Sequence, residues 1–522
     1  MSPPSAAAGA TPNPRRWKAL GVLSLSLLVI SLDNTILNVA LPTIRTELEA
    51  SSSQLQWIVD AYLLVFAGLL LGAGSLGDRF GRRKALFTGL TVFGIGSLCA
   101  ALSGGSTELI ASRALMGIGA AAIMPTTLSI LTNIFPAHER PKAIAVWATV
   151  AGMGVAIGPI TGGFLLEHFS WTSVFLVNLP VVVTCLIAGA FLIPESRDPS
   201  SPRLDPVGAG LSIAGLTGIV WGLIEATDRG WTNPTILGAF AAGAAVLGLF
   251  IAWERRCPHP MLDVSVFRNL RFSAASVAVG FVFFALMGVV YFLTTYLQTV
   301  MGDSALQAGV HMTPVAAGLI CATKLSVALT ERVGTKIVVA AGLSTVAGAL
   351  MVLSTATVDS GYALVGASLG LMGLGMGLAM SPATEAIMGA LPRAKAGIGS
   401  AMNDVVREVG GTLGVAVLGS VLASRYGSGV DGAVSGLPAG AREAASDSVG
   451  GAHEVAASLG GQAGHTLVQA ADHAFVNAMT TTATVAAAAA LAGALIALAF
   501  LPARARSAET TRAELVPQPA VA

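Results

Sequence analysis

Gly77-Asp78-Arg79-Phe80-Gly81-Arg82-Arg83 and Glu331-Arg332-Val333-Gly334-Thr335-Lys336 carry one pattern twice: acidic, Arg, apolar, Gly, any residue, basic. Each copy joins two long apolar runs. The first follows the second such run and the second follows the tenth. Runs 1–6 then correspond to runs 9–14, and runs 7 and 8 are an inserted pair. Repeated halves around a central cavity are a transporter architecture.

Composition points the same way. The chain has 522 residues, 54% apolar and 11% charged, with a mean hydropathy of +0.75. A soluble protein carries about 25% charged residues, so there is too little charge here for the polar skin of soluble domains. A soluble enzyme, a nucleic-acid binder and a disordered protein are excluded on these grounds, and the net charge of +1 offers nothing to an acidic partner. The expected fold is an all-α polytopic membrane protein whose principal partner is the lipid bilayer.

A spanning helix needs about 20 mostly apolar residues. Fourteen runs qualify: 17–41, 55–77, 83–103, 107–133, 142–167, 171–193, 206–226, 234–253, 272–300, 307–330, 335–356, 361–390, 395–425 and 473–502. Of the 29 Lys and Arg, four (Arg45, Arg229, Arg425, Arg442) fall in loops opposite the N-terminus and three (Arg113, Lys324, Arg407) inside spans; the other 22 lie on the N-terminal side. Positive loops stay cytoplasmic, so both termini are expected inside the plasma membrane. The expected organisation is a disordered tail 1–14, a six-helix bundle 15–193, linkers with inserted helices 194–271, a second six-helix bundle 272–502, and a cytoplasmic tail 503–522. Residues 426–471 form the longest loop, external, rich in Gly, Ala and Ser, read as partly helical and partly mobile, with no chemistry of its own.

Four motifs fall on successive spans. Span 1 carries Leu32-Asp33-Asn34-Thr35 and runs on to Leu41-Pro42; the Asp78-Arg79 loop follows span 2; span 4 holds Arg113 with Gly117 and Gly119; span 5 holds Gly154, Gly158, Pro159, Gly162 and Gly163. Together they resemble the major facilitator superfamily, and within it the 14-span drug:proton antiporters. The resemblance covers all fourteen spans in order. It implies a fold of two six-helix bundles plus two inserted helices, and a proton-coupled exporter of hydrophobic, cationic or amphipathic compounds working by alternating access. It implies that Gly77, Asp78, Arg79, Gly81, Arg82 and Arg83 latch the two halves in one access state. It also makes Gly158-Pro159-x-x-Gly162-Gly163 an antiporter motif, found in exporters. Read without it, Gly81 permits a tight turn, Gly154, Gly158 and Gly162 form a close-packing stripe on one helix face, and Pro159 removes a backbone hydrogen bond.

Charges inside spans are costly in hydrocarbon and mark function. Asp33 lies eight residues from the end of span 1 at Leu41, about 12 Å deep at 1.5 Å per residue. Arg113 lies six residues into span 4, about 9 Å deep by the same rise. An Asp33–Arg113 pair is therefore feasible, either as a proton switch or as a permanent structural pair. Asp60, at similar depth in span 2, is a second proton or cation site or an interfacial residue. Asp404 and Glu408 are four apart on span 13, hence on one face, with Arg407 placed to neutralise one of them. These five (Asp33, Arg113, Asp60, Asp404, Glu408) are the proton-coupling candidates. Glu385, Tyr291, Tyr296 and Phe284 are the substrate-cavity candidates.

No GxxxxGK[ST] motif is present, so ATP is not expected as an energy source. No Cys/His cluster has zinc spacing, and no cofactor, metal or enzymatic triad is expected. A channel would show a filter-like loop, and none is visible. A multidrug exporter and a dedicated exporter of one antibiotic or metabolite remain open, and the chain is expected to act as a monomer.

Overall fold

A computed structural model describes residues 15–136, 139–197, 205–258, 260, 264–390 and 396–502. The expected tails 1–14 and 503–522 lie outside the described residues, as do the side chains of Asp78 and Lys324. The helices are α1 (Arg16–Leu48), α2 (Ser52–Phe80), α3 (Arg82–Ala101), α4 (Ser106–Ile134), α5 (Arg140–His168), α6 (Ser173–Leu176), α7 (Asn178–Leu192), α8 (Pro206–Arg229), α9 (Pro234–Glu254), α10 (Leu270–Thr295), α11 (Ala305–His311), α12 (Pro314–Val333), α13 (Thr335–Leu353), α14 (Tyr362–Gly389), α15 (Ala396–Val434), α16 (Ala439–Asp447), α17 (Val449–Leu459) and α18 (Gly461–Phe500). Among the described residues, 13 segments are long and apolar enough to cross a membrane. The 29-residue α5 is the fourteenth crossing of the sequence reading. The chain is a multi-pass membrane protein, and an even number of crossings returns it to the side on which it began. That side is the near side below, and the opposite one the far side.

Local sequence explains the ends of the helices. Ser51 and Ser304 close capping boxes with Gln54 and Gln307 at the starts of α2 and α11. Pro opens α8, α9 and α12, where its missing N–H is no loss. The quoted repeat is a repeat in three dimensions as well. Gly81 (φ +126°) stands between α2 and α3, and Gly334 (φ +88°) between α12 and α13, each in the positive-φ region that disfavours a side chain.

The helices pack in two groups. In the first, α1 lies against α5 and α7, and α4 against α2 and α3; in the second, α10 lies against α15 and α18, and α14 against α12 and α13. The inserted α8 pairs with α9 and touches both α2 and α15. Polar links between the groups join their far ends: Gln298 Nε2 donates to Val39 O at 2.9 Å, and Arg45 Nη1 to Asp447 Oδ2 at 2.8 Å.

Three boundaries differ from the sequence reading. α1 continues through Pro42 to Leu48, α15 runs to Val434 and α18 begins at Gly461. The polar residues at these points mark the end of an apolar run, not of a helix. Residues 426–471 are consequently helical almost throughout, as the extension of α15, the hairpin α16–α17 and the start of α18. They also carry chemistry, since Asp447 binds Arg45 and accepts from the Ser52 backbone N–H.

Candidate functional site

Asp33 sits near the middle of α1, 17 residues from Arg16 and 15 from Leu48, or about 22 Å from the far end of the helix at 1.5 Å per residue. Measured from the end of the apolar run at Leu41 it is eight residues, about 12 Å at the same rise. Arg113 is seven residues into α4. Their side chains meet: Arg113 Nη1 lies 2.6 Å from Asp33 Oδ2, and the two side chains are 1% and 0% exposed. A buried pair of this kind holds only when the remaining hydrogen-bonding capacity is filled, and here it is. Arg113 Nε donates to Ile58 O at 3.1 Å, and the guanidinium stacks 4.3 Å over the Tyr62 ring. Asn178 Nδ2 donates to Asp33 Oδ1 at 3.0 Å and to Ser97 Oγ at 3.1 Å; Ser97 donates in turn to Phe175 O at 2.8 Å.

Tyr62, Asn178 and Ser97 were not singled out from the sequence. Asn178 carried a usable signal, as an amide inside an apolar run. Tyr62 carried less, although it is one of only five tyrosines. It stands on α2, the helix of the first group that packs against α15 of the second. Asp60, two residues earlier on α2, is fully buried, and neither carboxylate oxygen has a hydrogen-bond partner among the described residues. On α15, Arg407 Nη1 lies 3.6 Å from Asp404 Oδ1 and its guanidinium is 4.9 Å from the Phe283 ring centre. Glu408 and Asp404 are half-buried. No hydrogen bond or ion pair among the described residues joins this group to Asp33 and Arg113.

The glycine stripe of α5 lies directly on the stretch of α1 that carries Asp33. A Cβ at Gly154 would meet Ser31 at 2.6 Å, one at Gly158 would strike Thr35, and one at Gly162 would meet Ile36 at 2.8 Å. Thr35 Oγ1 also reaches Gly154 O at 3.2 Å. Beyond the stripe, Gly163 and Pro159 press on Ala305, Leu306 and Gly309 of α11 in the other half. One helix thus touches both Asp33's helix and the opposite bundle.

The Asp78–Arg83 motif finds its described partners within its own half. Arg82 N donates to Ser196 O at 2.8 Å, Arg83 N to Glu195 Oε1 at 3.1 Å and Arg83 Nη1 to Ile193 O at 3.3 Å. Arg79 lies over the neighbouring Phe80 ring at 5.8 Å, and Gly77 lets α2 approach Thr126 of α4. Of the four substrate candidates, Tyr291 lines a cavity on the far side. Tyr296 is buried with its hydroxyl unpartnered among the described residues, Phe284 packs on the Gly414 backbone, and Glu385 is exposed on α14.

Duplicated helical halves crossing a bilayer, with an ion pair buried between helices, define a membrane transporter rather than an enzyme. The chain belongs to the Major Facilitator Superfamily, whose sequence profile matches residues 23–415. Its relatives include the multidrug efflux pump LfrA of Mycolicibacterium smegmatis, 38% identical over 92% of this chain and 95% of that one. They also include the tetracenomycin C resistance and export protein of Streptomyces glaucescens, 34% identical over 93% of this chain and 91% of that one. Among solved structures, a bacterial homologue of the human lysosomal transporter Spinster, in an inward-facing and unoccupied conformation, has the same fold. Its TM-score is 0.65, over 95% of this chain and 99% of that one, at 19% identity.

Proposed function

We propose that this transporter exports hydrophobic, cationic or amphipathic drugs in exchange for protons, by alternating access. The observation that carries the reading is the buried Asp33–Arg113 pair beneath the α5 stripe. Arg113 keeps two anchors besides Asp33, the Ile58 carbonyl and the Tyr62 ring. When a proton neutralises Asp33, the arginine therefore stays with α4 and α2, and α1 is the element released. α1 then shifts along the smooth face of α5, and α5 passes the movement to α11. Asp60, Asp404 and Glu408 serve as further proton or cation positions, with Arg407 moderating Asp404. The Asp78–Arg83 loop latches the near side in the opposite access state, when the far-side links are broken.

The excess of Lys and Arg in the near-side loops supports a reading in which both termini lie in the cytoplasm of a bacterial cell. Both halves lie on one chain, so a monomer suffices. Export of a single antibiotic is the second reading, favoured by the tetracenomycin C relative; a competition panel of unrelated drugs separates the two. Proton coupling is tested by dye efflux from cells. Efflux should stop when the proton gradient is collapsed, and Asp33→Asn should abolish it while leaving the protein in the membrane. Undiminished efflux in either case overturns the coupling.

A further inference from the structure

The far ends of the two halves and the α16–α17 hairpin line a cavity of about 460 Å³, a size that takes a drug-like molecule. It is not the Asp33–Arg113 site: it lies at the level of Arg45 and Ser52, beyond Asp33 on α1. Gln56 forms part of its wall. That side chain is 1% exposed, and its Oε1 has no hydrogen-bond partner among the described residues. A buried amide oxygen left unpaired at a cavity wall is an acceptor without a donor.

The rest of the lining defines what would supply one. Tyr291, Tyr426 and Phe475 contribute aromatic wall, and Asp303, Asp447 and Glu454 contribute carboxylates. Asp447 is occupied by Arg45, and Asp303 by His311 at 2.6 Å, while Glu454 is exposed with no ion pair among the described residues. Arg45 also donates to Ala50 O, so the chamber's one guanidinium is engaged through Nη1, while its Nε is buried with no partner among the described residues. His453 on the wall is held by Asp472 at 2.7 Å. Acids and aromatic faces with an idle carbonyl select a cation that is flat and carries N–H groups.

We propose that this chamber is a second binding site, for an aromatic organic cation, roofed by the α16–α17 hairpin. The hairpin belongs to the second half but is fastened to the first. Asp447 accepts from Arg45 and from the Ser52 N–H at 3.2 Å, and Ser52 Oγ donates to Asp447 O at 2.7 Å. Those bonds hold the hairpin over the chamber. That a cation there is on its way out rests on the exporter reading; the binding does not.

The test is an ethidium titration of the purified full-length protein in lipid nanodiscs, with stoichiometry from equilibrium dialysis. At least one ethidium ion per chain is expected, bound in the chamber. Ala423→Trp, whose indole would fill the chamber, should lower the count by one. Glu454→Gln, at an exposed position that tolerates substitution, should weaken one ethidium site about tenfold, which keeps the test decisive should Ala423→Trp fail to fold. No ethidium on the wild-type protein, or binding unmoved in Glu454→Gln, overturns the proposal. Because nothing here depends on a gradient, loss of proton coupling would leave these binding counts as they are.

Discussion

Asn178 holds the carboxylate oxygen of Asp33 that Arg113 leaves free: its Nδ2 lies 3.0 Å from Oδ1 while the guanidinium takes Oδ2. The acid is thus fixed from two helices, α4 and α7, on opposite oxygens. Asn178→Ala should leave that lone pair unsatisfied inside dry protein. Hydrogen bonds to charged groups contribute about 1.5–3 kcal/mol, so transport at a fixed gradient should fall about tenfold or more. Efflux rate per unit of membrane-inserted protein measures this, and a rate within twofold of wild type would separate Asn178 from the site.

Arg113→Lys should fail although it keeps the charge. An ammonium cannot reach Asp33, donate to Ile58 O and lie flat on Tyr62 at once, because it lacks the planar fork. Tyr62→Phe keeps the ring and should retain transport; Tyr62→Ala removes it and should destabilise the folded protein by about 1–2 kcal/mol, the value of a desolvated cation–π contact. Thermal unfolding in detergent of the single and double variants, read as a cycle, isolates the pair. Equal losses for Phe and Ala would show that the hydroxyl, not the ring, matters.

Gly158→Ala should drive α1 from α5, since the added methyl strikes Thr35. Overpacking costs about 1–3 kcal/mol. Thr35→Ala removes the hydroxyl that is struck first and should restore part of the loss. Melting temperature and efflux of the double variant check this; absence of any rescue would place the cause elsewhere.

Asp447→Asn should loosen the hairpin without unfolding the bundle. The Arg45–Asp447 contact is charge-assisted and partly buried, 13% and 25% exposed, and such bonds are about twice as strong as neutral ones. Backbone amides of 439–459 should exchange with deuterium about tenfold faster, a factor that 1.4 kcal/mol supplies, while those of α4 keep their rate. Hydrogen exchange followed by mass spectrometry reads both segments in one sample.

Much of this was legible before any coordinates. Asp33 and Arg113 announce themselves because hydrocarbon tolerates no unexplained charge, and the Gly-x-x-x-Gly spacing on span 5 announces a close neighbour. Less legible was where α1 ends. Pro42, Thr43 and Arg45 signal departure from lipid, yet the backbone remains helical to Leu48 because polar residues there meet other protein. Asn178 and Tyr62 escaped notice for a different reason: their importance lies in what faces them, and periodicity within one helix says nothing of that. Asp447 is the extreme case, an ordinary acid in a Gly- and Ala-rich stretch whose partner is 402 residues away in the chain.

The length of the last two long helices has its own consequence. α15 has 39 residues and α18 has 40, so each is a rod of about 60 Å in a bilayer whose oily layer is about 30 Å thick. Their far ends, 426–434 of α15 and 461–472 of α18, lie beyond the apolar runs and stand roughly 14–18 Å clear as a stiff turret crowned by α16–α17. A turret that is part of one half and tethered to the other is a ready handle. An antibody fragment gripping its crown would brake the rocking of the bundle from outside the membrane, and would give a particle otherwise hidden in lipid a feature by which to orient it.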